Sequence, residues 1–410
     1  TTKQEVGKVV TVTYEGKKAT FTVDLIARKA TEVKLNSYPA KVDYLAGETL
    51  DLTGLSLEAT FNDGTTEALA IGDLSVTGFD SSTAANNQVI TITYGTWKFT
   101  YEVTIQQNLS VSVIAGNNRY HTAALISQAT YEQSEIAILA QGMNFPDALA
   151  AGPLAYALNA PILLTWTDRL AEETEAELLR LGVKKIIILG GNNAISEAVE
   201  SNLKDTLGYE TQRLAGLNRY TTALEVAEYI KALKGTPHRV VLSSGTSFAD
   251  ALSIGSYAAS EGLPILTTSP LGLVQETIDF LSINNVSEVL VVGGTTVIPA
   301  EIEENLKTMG ITVKRISGDN RESTSAAIAS ELYQDTRFAV AANGMTFPDA
   351  LAAAPYAAKH NAPILLVRQD QIHETIHTYL SGSSIHTITV VGGDAAVSEQ
   401  VRDELLKTLQ

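Results

Sequence analysis

The sequence has no cysteine. That excludes disulfides, thiolate zinc sites and a cysteine nucleophile at once. It leaves the compartment open, and it suits an exported protein stabilised by its cores alone. No apolar run reaches the length of about 18 residues that a membrane-spanning helix needs, so none is expected. Basic residues are scarce: 29 Lys and Arg stand against 46 Asp and Glu, a net charge of -17. A nonspecific nucleic-acid binder needs a basic surface, so nucleic acid is set aside as a partner. No charged-then-apolar leader follows Thr1, so no signal peptide is read there and the chain is expected to be a fragment or a mature form. Aromatics are only 6% and alanine is abundant, within a hydrophobic share of 45% over 410 residues. That is enough apolar material for sizeable cores, and the length suggests about two to four domains.

Residues 1–108 alternate apolar and polar side chains with many β-branched residues. VVTVTYEGKKATFTV (Val9 to Val23) reads as a hairpin of half-buried strands about a Gly turn. FNDGTTEAL (Phe61 to Leu69) carries Asp63-Gly64, a hairpin turn signal. This half is expected to be all-β. It also repeats: Tyr14 matches Tyr94, Phe21 matches Tyr101 and Val23 matches Val103, all at an offset of 80. The natural division is one complete sandwich over 30–108, preceded in 1–29 by the last two strands of another. Those first strands are expected to be poorly anchored unless more protein lies upstream.

From residue 109 short apolar strands alternate with helical segments of about 10 to 14 residues, the α/β signature with a largely parallel sheet. IAGNNRYHTA (Ile114) returns as LAGLNRYTTA (Leu214) and ISGDNRESTS (Ile316). GMNFPDALA (142) returns as GTSFADALS (245) and GMTFPDALA (344). APILLT (160), LPILTT (263) and APILLV (362) follow, then a strand ending in Gly-Gly. From the motif aspartate to the first glycine of that pair is 43 residues in all three copies. Three homologous units result: 109–213, 214–315 and 316–410. In the first, strands are expected at about 135–140, 161–165, 184–189 and 209–214. Their continuous apolar runs predict sheets covered on both faces, with the loops gathered at the carboxyl ends of the strands.

A loop with an aspartate between strand and helix is a common place for an active site. Its three copies argue otherwise for Asp147, Asp250 and Asp349, since an enzyme has no obvious need of one aspartate three times. Each accompanies an arginine: Arg119, Arg219 and Arg321. The favoured reading is an ion pair, within a unit or between neighbouring units, that orients loop and helix. The other reading makes Arg the binder of a charged ligand and Asp its orienter. The Gly-Gly pair could admit a phosphate, but no GxGxxG or GxxxxGK[ST] supports nucleotide binding. A tight turn or close backbone contact is favoured, followed by helix N-caps at Ser196 and Ser398 and by Pro299 in a first helical turn. The PILL stretch reads as a buried strand. HETIH (His373 to His377) matches a zinc-helix motif, yet the equivalent segments are EETEA and QETID. Its histidines are peculiar to one copy, so no metal site is expected, and no cofactor.

Taken together, RxaGxxRyxT (as in Arg213 to Thr222), GxxFPDALA, PILL and the Gly-Gly strand end resemble the cell wall binding repeat 2 family of Gram-positive bacteria over residues 109–410. The preceding region resembles bacterial Ig-like domains of the group 3 type. The resemblance implies a Toprim-like or Rossmann-like α/β fold per repeat, three repeats packed as an intramolecular pseudo-trimer, and an Ig-like sandwich before them. It implies noncovalent anchoring of surface, S-layer-associated proteins to peptidoglycan through an anionic secondary wall polymer. The PILL motif associated with anchoring maps to Ile162, Leu163, Leu164, Ile364, Leu365 and Leu366, and only in part to Ile265 and Leu266. Tyr120 and Tyr220 fit the family pattern where Glu322 does not, and Ala249 replaces the loop proline.

The expectation is a non-catalytic anchoring module at a Gram-positive cell surface, with the Ig-like part as spacer or stalk. Arg119, Asp147, Arg219, Asp250, Arg321 and Asp349 are its candidate polymer-binding or repeat-interface residues. The repeat region holds 20 Lys and Arg against 33 Asp and Glu, so bulk attraction cannot hold an acidic polymer. Local clefts, backbone donors or bridging cations have to, with weak contacts summed over three repeats. The rival readings are the targeting region of a peptidoglycan hydrolase whose catalytic domain lies elsewhere, and an adhesin acting through its Ig-like part.

Overall fold

Alternating β-branched and polar residues make two strands at once: β1 (Glu5–Tyr14) and β2 (Lys17–Leu25) pair antiparallel. Their turn residues Glu15 and Gly16 have φ of 44° and 79°, as a tight two-residue hairpin requires. The computed structural model describes residues 4–410, in two compact units, Thr1–Asn108 and Leu109–Gln410.

In the first unit, β3 (Ala30–Ser37), β5 (Ser56–Phe61) and β6 (Thr66–Ala68) form one sheet. The other runs in the order β4 (Asp43–Leu45), β9 (Trp97–Gln106), β8 (Ala85–Tyr94), β7 (Ser75–Thr77). Tyr44, Leu57, Ile90, Ile92 and Ile105 fill the interior at 0–1% exposure. Asp63-Gly64 turns β5 into β6, with Gly64 at φ 81°. The pairing of Ile90 with Tyr101 repeats that of Val10 with Phe21. Burial does not repeat: Tyr101 is 9% exposed and Phe21 52%, because β1 and β2 face no second sheet among the described residues. The segment after them is held by Arg28, which lies 3.7 Å from the Phe61 ring centroid and pairs with Asp63 and Glu67.

The second unit opens with β10 (Ser110–Ile114) and α1 (Arg119–Thr130). The first repeat continues through β11 (Ile136–Gln141), α2 (Ala151–Ala157), β12 (Ile162–Thr165), α3 (Glu172–Leu181), β13 (Lys185–Leu189), α4 (Glu197–Ser201) and β14 (Glu210–Leu214). The second follows as α5 (Arg219–Lys234), β15 (Arg239–Ser244), α6 (Ala249–Ser260), β16 (Ile265–Thr268), α7 (Gln275–Ile283), β17 (Glu288–Val292), α8 (Ala300–Thr308) and β18 (Thr312–Ile316). The third comprises α9 (Arg321–Leu332), β19 (Phe338–Asn343), α10 (Pro348–Lys359), β20 (Ile364–Val367), α11 (Glu374–Ser381), β21 (Thr387–Val391) and α12 (Glu399–Thr408). Ser196 and Ser398 cap α4 and α12, their hydroxyls accepting from Val199 N and Val401 N. Pro299 stands one residue earlier than expected, at the cap itself of α8.

Each repeat builds a four-stranded parallel sheet with the motif strand inside: β12-β11-β13-β14, then β16-β15-β17-β18. The third sheet is β20-β19-β21-β10. Its edge, held by β14 and β18 in the other two, is filled by the strand from the opposite end of the unit. The three layers therefore form a closed ring.

The helices after the motif loops, α2, α6 and α10, pack on one another at the centre of that ring. Small residues allow it. A Cβ on Gly152 would stand 3.1 Å from the Ala354 methyl and 3.3 Å from the Gly255 carbonyl oxygen. These three residues occupy the same place in the three copies. One hydrophobic cluster draws on all three repeats, including Leu154, Ile254 and Ala353 at 0% exposure. The alanine-rich composition is thus spent on close helix approach.

Candidate functional site

The motif strands β11, β15 and β19 end in the three copies of the GxxF loop. Phe145, Phe248 and Phe347 meet there, with ring centroids 5.3, 5.8 and 6.1 Å apart pairwise. Edge-to-face and tilted geometries at these distances are favourable aromatic contacts. The loops therefore converge on the pseudo-threefold axis. Sequence reasoning gave these phenylalanines no role, although their presence in all three copies was the signal.

Two residues on from each phenylalanine is the motif aspartate. Asp147 Oδ2 lies 2.6 Å from where a Cβ of Gly190 would be, Asp250 Oδ2 2.6 Å from that of Gly293, and Asp349 Oδ2 2.8 Å from that of Gly392. Those glycines also have φ of 92°, 121° and 103°, a region that penalises any side chain. The Gly-Gly pair is thus a tight turn with close contact, and what it admits is the aspartate of its own repeat. The second glycine is free of this demand: nothing lies within 4 Å of a Cβ on Gly191.

The arginines do not take the carboxylates directly. Arg119 Nη1 donates to the carbonyl of Gly142 at 2.7 Å, Arg219 Nη1 to Gly245 at 2.7 Å and Arg321 Nη1 to Gly344 at 2.5 Å. Among the described residues no salt bridge joins these three arginines to the three aspartates. For Asp250 and Asp349 the relation is a field across the repeat boundary. Burial pushes Asp250 up to about 6, against the attraction of Arg321 in the next repeat. Burial likewise pushes Asp349 up to about 6, against the attraction of Arg119, which joins the third repeat to the first. The direct ion pair expected from sequence is replaced by this longer-range one, because the start of each helix places the guanidinium on its own loop carbonyl. Asp250 is 6% exposed, and none of the three carboxylates accepts a hydrogen bond among the described residues.

Strict threefold equivalence fails where the sequence departed. Tyr120 is buried against Trp166 at 4.7 Å between centroids. In the third repeat Glu322, 1% exposed, takes the tyrosine's position and bonds Arg368, which takes the tryptophan's, at 2.9 Å. An ion pair thus replaces an aromatic pair.

The PILL residues are interior. Ile162, Leu163, Leu164, Ile265, Leu266, Ile364, Leu365 and Leu366 are all 0–1% exposed. They can affect binding only through the fold. In HETIH, His373 caps α11 by accepting from Thr375 N and contacts Asn320, while His377 contacts Glu404 and Thr408. Among the described residues no cluster of three His, Asp or Glu is placed to hold a metal, and no helix is long and apolar enough to cross a membrane. Arg213 and Arg315 were not expected as structural residues. Each donates to the first glycine of the pair, Gly190 and Gly293, and binds Glu200 or Glu303. At the ring closure both charges change: Val113 stands for the arginine and Arg402 for the glutamate.

The model of Cell wall binding domain 2 matches residues 113–200, 213–303 and 315–402, and that of Bacterial Ig-like domain (group 3) matches 37–105. N-acetylmuramoyl-L-alanine amidase LytC of Bacillus subtilis is 34% identical over 296 residues, 72% of this chain and 58% of that protein. The Amidase enhancer of the same organism is 30% identical over 305 residues, 74% of this chain and 41% of that protein. The chain therefore spans about half the length of these curated relatives. Among solved structures, Cwp6 from Clostridium difficile superposes with a TM-score of 0.71 at 22% identity, covering 92% of this chain and 68% of that one. Cwp8 from the same organism gives 0.67 at 26% identity, covering 82% and 64%.

Proposed function

Since the chain belongs to the Cell wall binding domain 2 family, we propose that its cell-wall anchoring unit grips an anionic secondary wall polymer at the three motif loops. The observation that supports this is their convergence: three copies of one loop, each with a carboxylate lacking an internal hydrogen bond and a half-buried guanidinium that uses one donor on a glycine carbonyl. Arg119, Arg219 and Arg321 supply local positive charge in a region that is acidic overall, and Asp147, Asp250 and Asp349 accept from sugar hydroxyls. Each contact is weak and the three add by avidity. The Ig-like sandwich acts as spacer, the unit itself is non-catalytic, and the setting is the wall of a Gram-positive bacterium.

A single isolated repeat is a poor test of avidity, because the interior is shared by all three. The experiment uses the whole chain. Asp→Asn at positions 147, 250 and 349 is made singly and together, and sedimentation with purified wall polymer is measured. Each single change should weaken binding a few-fold and the triple change should abolish it, with folding intact. Full binding by the folded triple variant refutes the loops as the contact.

The similarity to proteins named as an amidase and an amidase enhancer favours one second reading, in which this region targets a wall hydrolase carried elsewhere. A muralytic assay on this chain should show no lysis under either reading; lysis would place a catalytic centre within it.

A further inference from the structure

In each repeat the helix that begins at the motif arginine packs on the helix after the PILL strand: α1 on α3, α5 on α7, α9 on α11. The first pair is filled. Glu177, 1% exposed, is held there by Ser127, Gln128 and Arg180. In the second pair Phe280 takes the place of Glu177, with the Lys231 ammonium 5.8 Å from its ring centroid. The third pair differs. Counted from the helix caps Ala171, Val274 and His373, one residue off the register in which HETIH faces EETEA, Tyr379 stands at that position and Gly382 replaces Arg180 and Ile283, while Ser330 replaces Gln128 and Glu228. The shortened side chains leave a cleft of about 960 Å³ between α9 and α11, bordered by Asp319, Ser330, Asp335, Glu374, Thr378 and Tyr379. The hydroxyl of Tyr379 is buried without a hydrogen-bond partner among the described residues.

The lining selects a chemistry. A cleft of this size matches a small-molecule site. Among the described residues no lysine or arginine borders it, while three carboxylates do, so a phosphate or carboxylate is repelled. Serine and threonine hydroxyls suit a polyhydroxylated ring, tyrosine offers an apolar surface to its face, and the carboxylates suit an ammonium. We propose that the cleft between α9 and α11 is a saccharide subsite of the third repeat that takes an amino-sugar unit with a free amine. This rests on the wall-binding reading above and makes the three repeats unequal in what they hold.

The test titrates the full chain with a glucosamine tetramer in mildly acidic buffer, where the amines are charged, and follows binding by calorimetry. The N-acetylglucosamine tetramer and inorganic phosphate are the comparison arms. The cleft is filled by Ser330→Gln with Gly382→Arg, approaching the first repeat's side chains. Gly382 has φ of -99° and a Cβ there meets only backbone oxygens, the nearest at 3.4 Å, so a side chain fits. Expected are sub-millimolar binding of the glucosamine tetramer, at least about tenfold loss in the filled variant, weaker binding of the acetylated tetramer, and no competition by phosphate. Should the filled variant fail to fold, Asp319→Asn with Glu374→Gln is expected to erase the preference for the free amine. No binding by the wild type, equal binding by the filled variant, a preference kept by the charge-neutral one, or displacement by phosphate overturns the proposal. Sedimentation with purified walls runs in parallel. Wild-type sedimentation without glucosamine binding sinks the cleft alone; loss of wild-type sedimentation sinks the anchoring reading.

Discussion

Arg321 of the third repeat lies over the ring of Phe248 of the second, 5.5 Å from its centroid. The same guanidinium supplies the field at Asp250. One arginine thus touches its own loop through Gly344 and its neighbour's loop through an aromatic face, and acts on the neighbour's carboxylate at longer range. The repeat boundary is part of the site.

Removing one ring of the triad should loosen all three loops. Phe347, 7% exposed, is the most buried of them. Phe347→Ala is expected to cost about 3 kcal/mol, the usual range for a buried phenylalanine. Denaturant unfolding measures it. A loss below about 0.5 kcal/mol would mean the rings meet without holding the loops together.

The two glycines of the turn should behave differently. Gly190→Ala meets both a positive φ and the Asp147 carboxylate, and is expected to destabilise by about 2 kcal/mol or more. Gly191→Ala meets open space and should be tolerated. Equal melting temperatures for the two variants would show that the aspartate does not sit against the turn.

Asp250 and Asp349 should link stability to pH. Their folded values, about 6, lie above the ordinary 3.8. The folded state therefore holds these protons more tightly than the unfolded chain. Their contribution favours folding below about 4, and is lost as pH rises through about 6, on the order of 3 kcal/mol for each. Asp250→Asn with Asp349→Asn should remove this component and raise the melting temperature at neutral pH. Parallel melting curves for wild type and variant between about pH 4 and 7 would count against the burial of both charges.

Ring closure by β10 predicts a sharp boundary for truncation. Residues 109–410 retain the strand, whereas residues 116–410 leave the third sheet with an open edge at β21. The shorter form should melt several degrees lower and lose the protection of the β21 amides in hydrogen exchange. Unchanged protection would show that β10 adds nothing to the third sheet.

Much of this protein is written locally. Period-two patterning marked the β half, and Asp63-Gly64 marked a turn. Short apolar runs such as KIIIL (Lys185–Leu189) are buried parallel strands, and each such signal depends on residues near in sequence. Internal repetition went further and exposed HETIH as peculiar to one copy. What the arginines hold was not legible. Arg119 and Asp147 recur together, but recurrence does not say whether a guanidinium meets a carboxylate, a carbonyl or a neighbour's ring.

The sequence by itself determined the elements, their threefold repetition and the burial of PILL, because periodicity and propensity are short-range. Only the tertiary structure decided that Ser110–Ile114 pairs with Thr387–Val391, across 277 residues at Ser110 and Thr387, and that the phenylalanines of three separate loops share one axis. Strand pairing and ring packing depend on which surfaces meet when the ring closes, and that information lies in no single window of the chain.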